Sequence, residues 1–270
     1  MGRPWCAVLG DPIEHSLSPA LHNAGYRELG LDWTYITHRV DEAGLEAFLA
    51  GLDEDCRGLS LTMPLKRTAL RLADEATPVA VVAGGANTLV PGGGRLRADN
   101  TDVPGAAAAL REKYDGPVGA ATIWGGGATA ASMLVALAGL GCRRFQLQVR
   151  DPQRAAETLA AAERHADDLD VAVAALGEPA VGDVLVSTVP AEAQTPDLLA
   201  AGAGVPVVFE VRYDPWPTPL ASAALTSSRL LVTGLDLLVH QAALQFEQFT
   251  GQAAPLTAMR LAGESALAGR

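Results

Sequence analysis

The sequence predicts an α/β protein in two domains, the second a doubly wound parallel sheet. Three observations carry this reading. Short β-like runs alternate with Ala/Leu-rich helical runs from end to end, the signature of parallel or mostly parallel sheets. A glycine turn, "WGGGATA" at 124–130, directly follows an apolar run and opens a helical one. The 270 residues are 49% hydrophobic but only 5% aromatic, so the core is built mainly from Ala, Leu and Val. That length accommodates two modest domains, each with a core of its own.

In order along the chain, "CAVLG" gives a strand at 5–9, and the polar loop "GDPIEHSLSP" at 10–19 leads into a helix at 19–29. Gly10, Asp11 and Pro12 supply the turn. Ser18, followed by Pro19, reads either as a plain helix N-cap or, with Ser16, as a pair of hydroxyls displayed to an anion. Strands are expected at 33–39 and 57–62, with helices at 41–51 and 65–74. Two further strands, 87–90 and 95–99, flank "PGGG" as a hairpin. A second series opens with a helix at 103–113. Strands follow at 119–124, 144–149, 170–174, 183–187, 205–210 and 229–232, with helices between most of them. The tail is helical over 235–250 and 255–267. The domain boundary falls at Asp102.

Charge and cysteine usage narrow the function. A formal net charge of -11 argues against nucleic acid and anionic membranes as partners, so an anionic ligand needs a local cationic site. Cys6, Cys56 and Cys142 form no CxxC pair, which implies neither a disulfide framework nor a zinc cluster and fits a reducing cytoplasm. No secretory leader is read at the N-terminus. Pro117–Cys142 carries no charge and is long enough to span a bilayer, but Gly125–Gly127 divides it into a strand and a helix. His15, His22 and His240 lack the spacing of metal ligands, and no metal is expected. The expected assembly is a monomer or homodimer.

The glycine turn places Gly125, Gly127 and Ala130 in a GxGxxA spacing, where backbone and helix dipole receive a pyrophosphate. After the next strand, "RFQLQV", come Arg150, Asp151, Pro152, Gln153 and Arg154. Two guanidinium groups suit a 2′-phosphate, which points to NADP. Asp151 either repels that phosphate or turns to the backbone as a cap for Pro152. "LSLTMPLK" ends a strand with Thr62 and presents Lys66, while "GGANT" and "ADNTD" add Asn87, Asn100, Thr101 and Asp102 at strand ends. Reduction of a carbonyl by hydride needs a proton donor, and a lysine beside a carboxylate can serve.

Seven segments in register make the chain resemble the shikimate dehydrogenase family over nearly its whole length. They are "GDPIEHSLSPALHN", "SLTMPLK", "GGANT" with "ADNTD", "GGGATA" with "RDPQR", "STVP", "YDPWPTPL" and "GLDLLVHQAALQFEQFTG". The resemblance implies reversible NADPH-dependent reduction of 3-dehydroshikimate to shikimate, within chorismate and aromatic amino acid biosynthesis. It implies Lys66 as general acid/base with Asp102 in the same network. Ser16 and Ser18, helped by Tyr213, would hold the substrate carboxylate, and Thr62, Asn87, Asp102 and Gln241 the ring hydroxyls. Gly125, Gly126, Gly127, Ala128 and Thr129, with Val149, Arg150, Asp151 and Arg154, would cradle the cofactor. Val211 and Gly234 would stand at the nicotinamide. The helices at 235–270 would complete a substrate domain of residues 1–102, leaving 103–234 as a Rossmann-like NADP-binding domain.

Five positions depart from the family pattern: Ala128 for Gly, Val149 for Asn, Asp151 for Thr, Glu210 for Asp, and Leu237 for Met. A rival within the same chemistry is an NAD-dependent quinate/shikimate dehydrogenase, against which Ser18 argues, since relatives favouring quinate often carry Thr there. A non-catalytic NADP-binding sensor would have shed Lys66 and Asp102, and both are present.

Overall fold

In the computed structural model, which describes residues 2–270, the first apolar run is β1 (Trp5–Gly10), buried along nearly its whole length. It pairs in parallel on both sides, with β2 (Thr34–Arg39) and β3 (Cys56–Leu61). The crossovers are α1 (Ser18–Glu28) and α2 (Leu45–Ala50). After α3 (Lys66–Leu72) come β4 (Glu75–Ala76), α4 (Pro78–Ala83), and the antiparallel hairpin of β5 (Thr88–Gly92) and β6 (Arg95–Asp99). Gly93 and Gly94 turn the hairpin with φ of 59° and 76°, a region that glycine enters without steric cost. The sheet order is β2-β1-β3-β5-β6-β4, and it is mixed because β5 runs against both β3 and β6.

The second sheet is wholly parallel. α5 (Asp102–Lys113) leads to β7 (Ala120–Trp124), α6 (Ala128–Gly139), β8 (Arg144–Val149), α7 (Ala156–Arg164) and β9 (Asp170–Ala175). The chain then returns through β10 (Val184–Ser187), α8 (Pro196–Ala201), β11 (Val207–Glu210), α9 (Pro219–Thr226) and β12 (Leu230–Thr233). Strand order is β12-β11-β10-β7-β8-β9, so the winding reverses between β7 and β10, where doubly wound sheets bind ligands. α6 is apolar all round because it packs against α5, α7 and β7. The uncharged stretch 117–142 is therefore a buried strand, a turn and a buried helix. No helix among the described residues is long and apolar enough to cross a membrane. The chain ends in α10 (Gly234–Thr250) and α11 (Leu256–Ala268).

The chain divides into two compact units, residues up to Thr101 with Leu238–Arg270, and Asp102–Leu237. The crossings expected from the sequence lie at 102/103 and 234/235. Asp102 goes with the second unit because it is the first residue of α5, and the first turn of α10 follows it through Asp236. That carboxylate accepts from Lys113 Nζ at 2.5 Å and from the Thr233 hydroxyl at 2.7 Å.

Each unit has its own core. Ala7, Leu9, Leu59, Leu61, Leu65 and Leu89 pack in the first, and Trp124, Leu185, Val208 and Leu220 in the second. Beneath α1, His22 stacks on Tyr35 with centroids 4.2 Å apart, beside Phe246 and Phe249 of α10.

Some elements differ from those expected. The helix expected over 41–51 begins only at Leu45, and that expected over 65–74 spans Lys66–Leu72. β4 and α4 lie outside the expected elements, although α4 carries strong boundary signals. Thr77 caps it by accepting from Ala80 N, Pro78 opens it, and Gly84 closes it at φ 71°.

Candidate active site

The substrate motifs gather at the C-terminal ends of β1 and β3. Thr62 N donates to Leu9 O at 2.9 Å and Asp11 N to Met63 O at 3.0 Å, so the 10–18 loop runs beside the segment leading to Lys66. Gly10 is required there, since a Cβ would lie 2.4 Å from Thr62 Cγ2. Ser18 is not the helix cap. Leu17 takes that position without a side-chain bond, and Ser18 is the buried first residue of α1. Its N–H donates to Ser16 Oγ at 3.3 Å, which brings the two serines together. The Ser18 hydroxyl thus does not cap the helix, while Ser16 Oγ accepts its first N–H.

Lys66 is the first residue of α3, and its carbonyl accepts from Ala86 N at 2.7 Å. That bond fixes Lys66 alongside the 85–87 loop. Asn87 is 2% exposed and heavily bonded. Its Nδ2 donates to Thr101 Oγ1 at 2.9 Å and Gln241 Oε1 at 3.1 Å, while its Oδ1 accepts from Thr101 N at 2.8 Å. A buried polar chain extends from there: Gln245 Nε2 donates to Asn87 O, Ser60 Oγ donates to Gln245 Oε1, and Tyr35 donates to Ser60 Oγ. The Tyr35 hydroxyl also meets Ser18, and burial holds its pKa far above the usual phenol range.

In the second unit the glycine turn leaves β7 at the winding reversal. A Cβ on Gly125, at φ 102°, would meet Thr188 Oγ1 at 2.2 Å. One on Gly126 would meet Arg154 O at 2.2 Å and Val149 Cγ1 at 3.0 Å, so the turn lies directly against the 149–154 segment. One on Gly127 would meet nothing within 4 Å. The first two glycines are thus demanded by the protein itself, while the third faces open space. Gly127 is also the N-cap of α6 and supplies no side-chain cap to its N–H groups. Ala128 and Thr129 form the first turn of α6 behind it. The opening fits a pyrophosphate held by backbone donors.

Asp151 adopts the second of its two expected roles: its carboxylate accepts from Gln153 N at 3.0 Å and caps the 3₁₀ turn Pro152–Ala155. Arg150 and Arg154 are exposed, and neither guanidinium is engaged in a hydrogen bond or ion pair among the described residues. At the ends of β11 and β12, Val211 and Gly234 touch: a Cβ on Gly234 would lie 2.2 Å from Val211 O. Tyr213 follows Val211 in the same segment.

The expected set divides between the units. Ser16, Ser18, Thr62, Lys66, Asn87 and Gln241 belong to the first. Asp102, Tyr213 and the expected cofactor residues belong to the second. Sequence reasoning missed two polar assemblies, Tyr35–Ser60–Gln245 in the first unit and Gln194–Glu210–Thr218 in the second. Ser60 and Glu210, polar residues inside otherwise apolar strand runs, were the available signal. Among the described residues no group of His, Cys, Asp and Glu is arranged to hold a metal.

A parallel sheet wound in this order, with an open glycine turn at its reversal, defines the class of Rossmann-like dinucleotide-binding proteins. Residues 8–89 match the shikimate dehydrogenase substrate binding domain family, and 234–261 the shikimate 5'-dehydrogenase C-terminal domain family. The chain belongs to the shikimate dehydrogenase family. It is 32% identical to the shikimate dehydrogenase (NADP(+)) of Desulforamulus reducens, over 94% of this chain and 92% of that one. Among solved structures it is similar to Mycobacterium tuberculosis shikimate dehydrogenase, at 42% identity and a TM-score of 0.87, covering 97% of this chain and 99% of that one. It is also similar to the Thermus thermophilus shikimate 5-dehydrogenase in complex with NADP(H) and shikimate, at 30% identity and a TM-score of 0.86, covering 97% and 99%.

Proposed function

We propose that the protein catalyses the reversible NADPH-dependent reduction of 3-dehydroshikimate to shikimate. The observation that carries this reading is the bond from Asn87 Nδ2 to Gln241 Oε1. It joins two of the expected ring-hydroxyl ligands across 154 residues of chain, beside the loop that anchors Lys66. When bound, NADPH supplies the hydride to the carbonyl carbon. The Lys66 ammonium gives a proton to the carbonyl oxygen and takes it back in the oxidative direction. Ser16 and Ser18, with Tyr213, hold the substrate carboxylate. Thr62, Asn87, Asp102 and Gln241 bind the ring hydroxyls and orient the reacting carbon. Gly125–Thr129 receive the pyrophosphate, and Arg150 and Arg154 the 2′-phosphate, with Asp151 turned toward its own backbone.

Steady-state assays of shikimate and quinate, each with NADP and NAD, test the reading. Shikimate with NADP is expected to be the preferred pair. Folded protein that produces no NADPH from shikimate and NADP would overturn the assignment.

A further inference from the structure

One buried carboxylate has no part in the chemistry proposed above. Glu210 ends β11 and is fully buried. Three donors converge on it: Gln194 Nε2 at 2.6 Å, the Thr218 hydroxyl at 2.9 Å, and Arg212 N at 2.9 Å. An ionised carboxylate only accepts, so this ring of donors is complementary to the charged form. Burial opposes that form and raises the carboxyl to about 7, against the pull of the three bonds and of Arg212. Arg212, itself exposed, is the charged side chain acting on Glu210. Gln194, Thr218, Ser187 and the cross-strand Thr233, which come from the surrounding elements, are uncharged.

Two of the donors occupy the ends of one segment. Arg212 N stands at its start. Thr218 stands at its end, where its hydroxyl also accepts from Ala221 N and caps α9. Gln194 ties the knot to its surroundings: its Oε1 accepts from Leu220 N at 2.9 Å, and its Nε2 also reaches Ser187 Oγ at 3.4 Å. An apolar side chain would fill such a place at lower cost in desolvation, so what the buried charge adds is a defined geometry. Between its two ends the segment carries Val211 and Tyr213.

We propose that Glu210 is a positioning residue whose carboxylate, by clasping both ends of the 211–218 segment, sets where Val211 and Tyr213 stand for nicotinamide and substrate. This rests on the roles given to Val211 and Tyr213 above. Glu210→Gln replaces one acceptor oxygen by a donor that faces donors, at nearly constant shape. Shikimate KM is expected to rise about ten-fold or more, the effect of losing a charge-assisted bond. NADP affinity, held largely by the glycine turn and the arginines, should stay within about two-fold. A general loss of folding would lower both together, so the split separates positioning from support.

Gln194→Met removes one donor while leaving the charge, and should shift shikimate KM in the same direction if Glu210→Gln does not fold. Trp216 lies inside the segment, and the share of tryptophan emission that is lost in Trp216→Phe reads it without turnover. Its fluorescence should titrate near neutral pH in the wild type, and the transition should vanish in Glu210→Gln or, failing that, change in Gln194→Met. Wild-type constants in the variants, or equal losses of shikimate and NADP binding, would overturn the proposal. If the wild type shows no activity on shikimate, the functional reading fails. The fluorescence then decides the clasp alone: Trp216 emission that is the same in wild type and Gln194→Met across pH overturns it.

Discussion

At the residue scale the sharpest expectation concerns Lys66. A general acid contributes ~10²–10⁴-fold, so Lys66→Ala should lower kcat by about that factor. Shikimate KM should change little, because the proton is transferred in the transition state. Steady-state kinetics with pure folded variant check this, and near-normal kcat would leave Lys66 only a binding role. The arginines after β8 invite a different test. Replacing both Arg150 and Arg154 with Ala should raise NADP KM by roughly ten-fold per lost contact, on the scale of charge-assisted bonds. NAD KM should barely move. Equal effects on the two cofactors would remove these side chains from 2′-phosphate selection. Both arginines were legible in the sequence as candidates. That Asp151 turns to Gln153 N was not, because a carboxylate before Pro152 has a local and a distant partner available, and only the backbone course chooses.

At the scale of elements, the turn between β7 and α6 separates two kinds of glycine. Gly126→Ala would push a Cβ to 2.2 Å from the Arg154 carbonyl, a backbone atom that cannot yield without moving the 149–154 segment. Overpacking of this kind costs about 1–3 kcal/mol, so the thermal midpoint should fall. Gly127→Ala meets nothing within 4 Å and keeps an ordinary φ of -88°. Its stability should lie within ~1 kcal/mol of wild type, the scale of an N-cap change. NADP binding should nonetheless weaken, because the methyl enters the opening offered to the pyrophosphate. Melting curves with and without NADP distinguish the two variants. The turn itself was readable from spacing, and so were most strands. α4 is absent from the expected elements although Thr77–Pro78 is a cap signature that recurs at Thr195–Pro196 and Thr218–Pro219. It is short, and its apolar run mimics a strand.

At the scale of the whole molecule, buried titratable groups set how stability follows pH. Glu210 is raised from 4.5 to about 7, so the native state holds this proton more tightly than the unfolded chain. Its contribution is full below 4.5 and is lost as pH rises through 7. His22 runs the other way, because burial lowers it from 6.5 to about 3. Its contribution is full above 6.5 and is lost as pH falls toward 3. Asp236, lowered by Lys113 and Thr233 despite burial, adds stability above 3.8 that is likewise lost in acid. The net charge of -11 also shrinks as pH falls from neutrality, relieving self-repulsion. Unfolding free energy should therefore be greater near pH 6 than near pH 8 and should decline again in acid, with each pKa unit worth at most about 1.4 kcal/mol. Denaturant titrations across this range check it. Glu210→Gln should flatten the alkaline side, and a wild-type curve that rises steadily toward pH 8 would contradict the assignment.

Periodicity, caps and glycine spacing are properties of near neighbours, and they were enough to read two α/β units and the glycine turn; the roles of the strand-end motifs came from resemblance to a known family. Tertiary structure alone decided which side chains meet. Asn87 reaches Gln241 across 154 residues, Tyr35 and Gln245 converge on Ser60, and Gln194 and Thr218 close on Glu210. It also decided that Ser18 leaves the capping position to Leu17. The physical reason is that a buried polar group must find a partner, yet its local sequence states only the need. The partner is supplied by whichever distant segment packing brings within about 3 Å, and no nearest-neighbour preference encodes that choice.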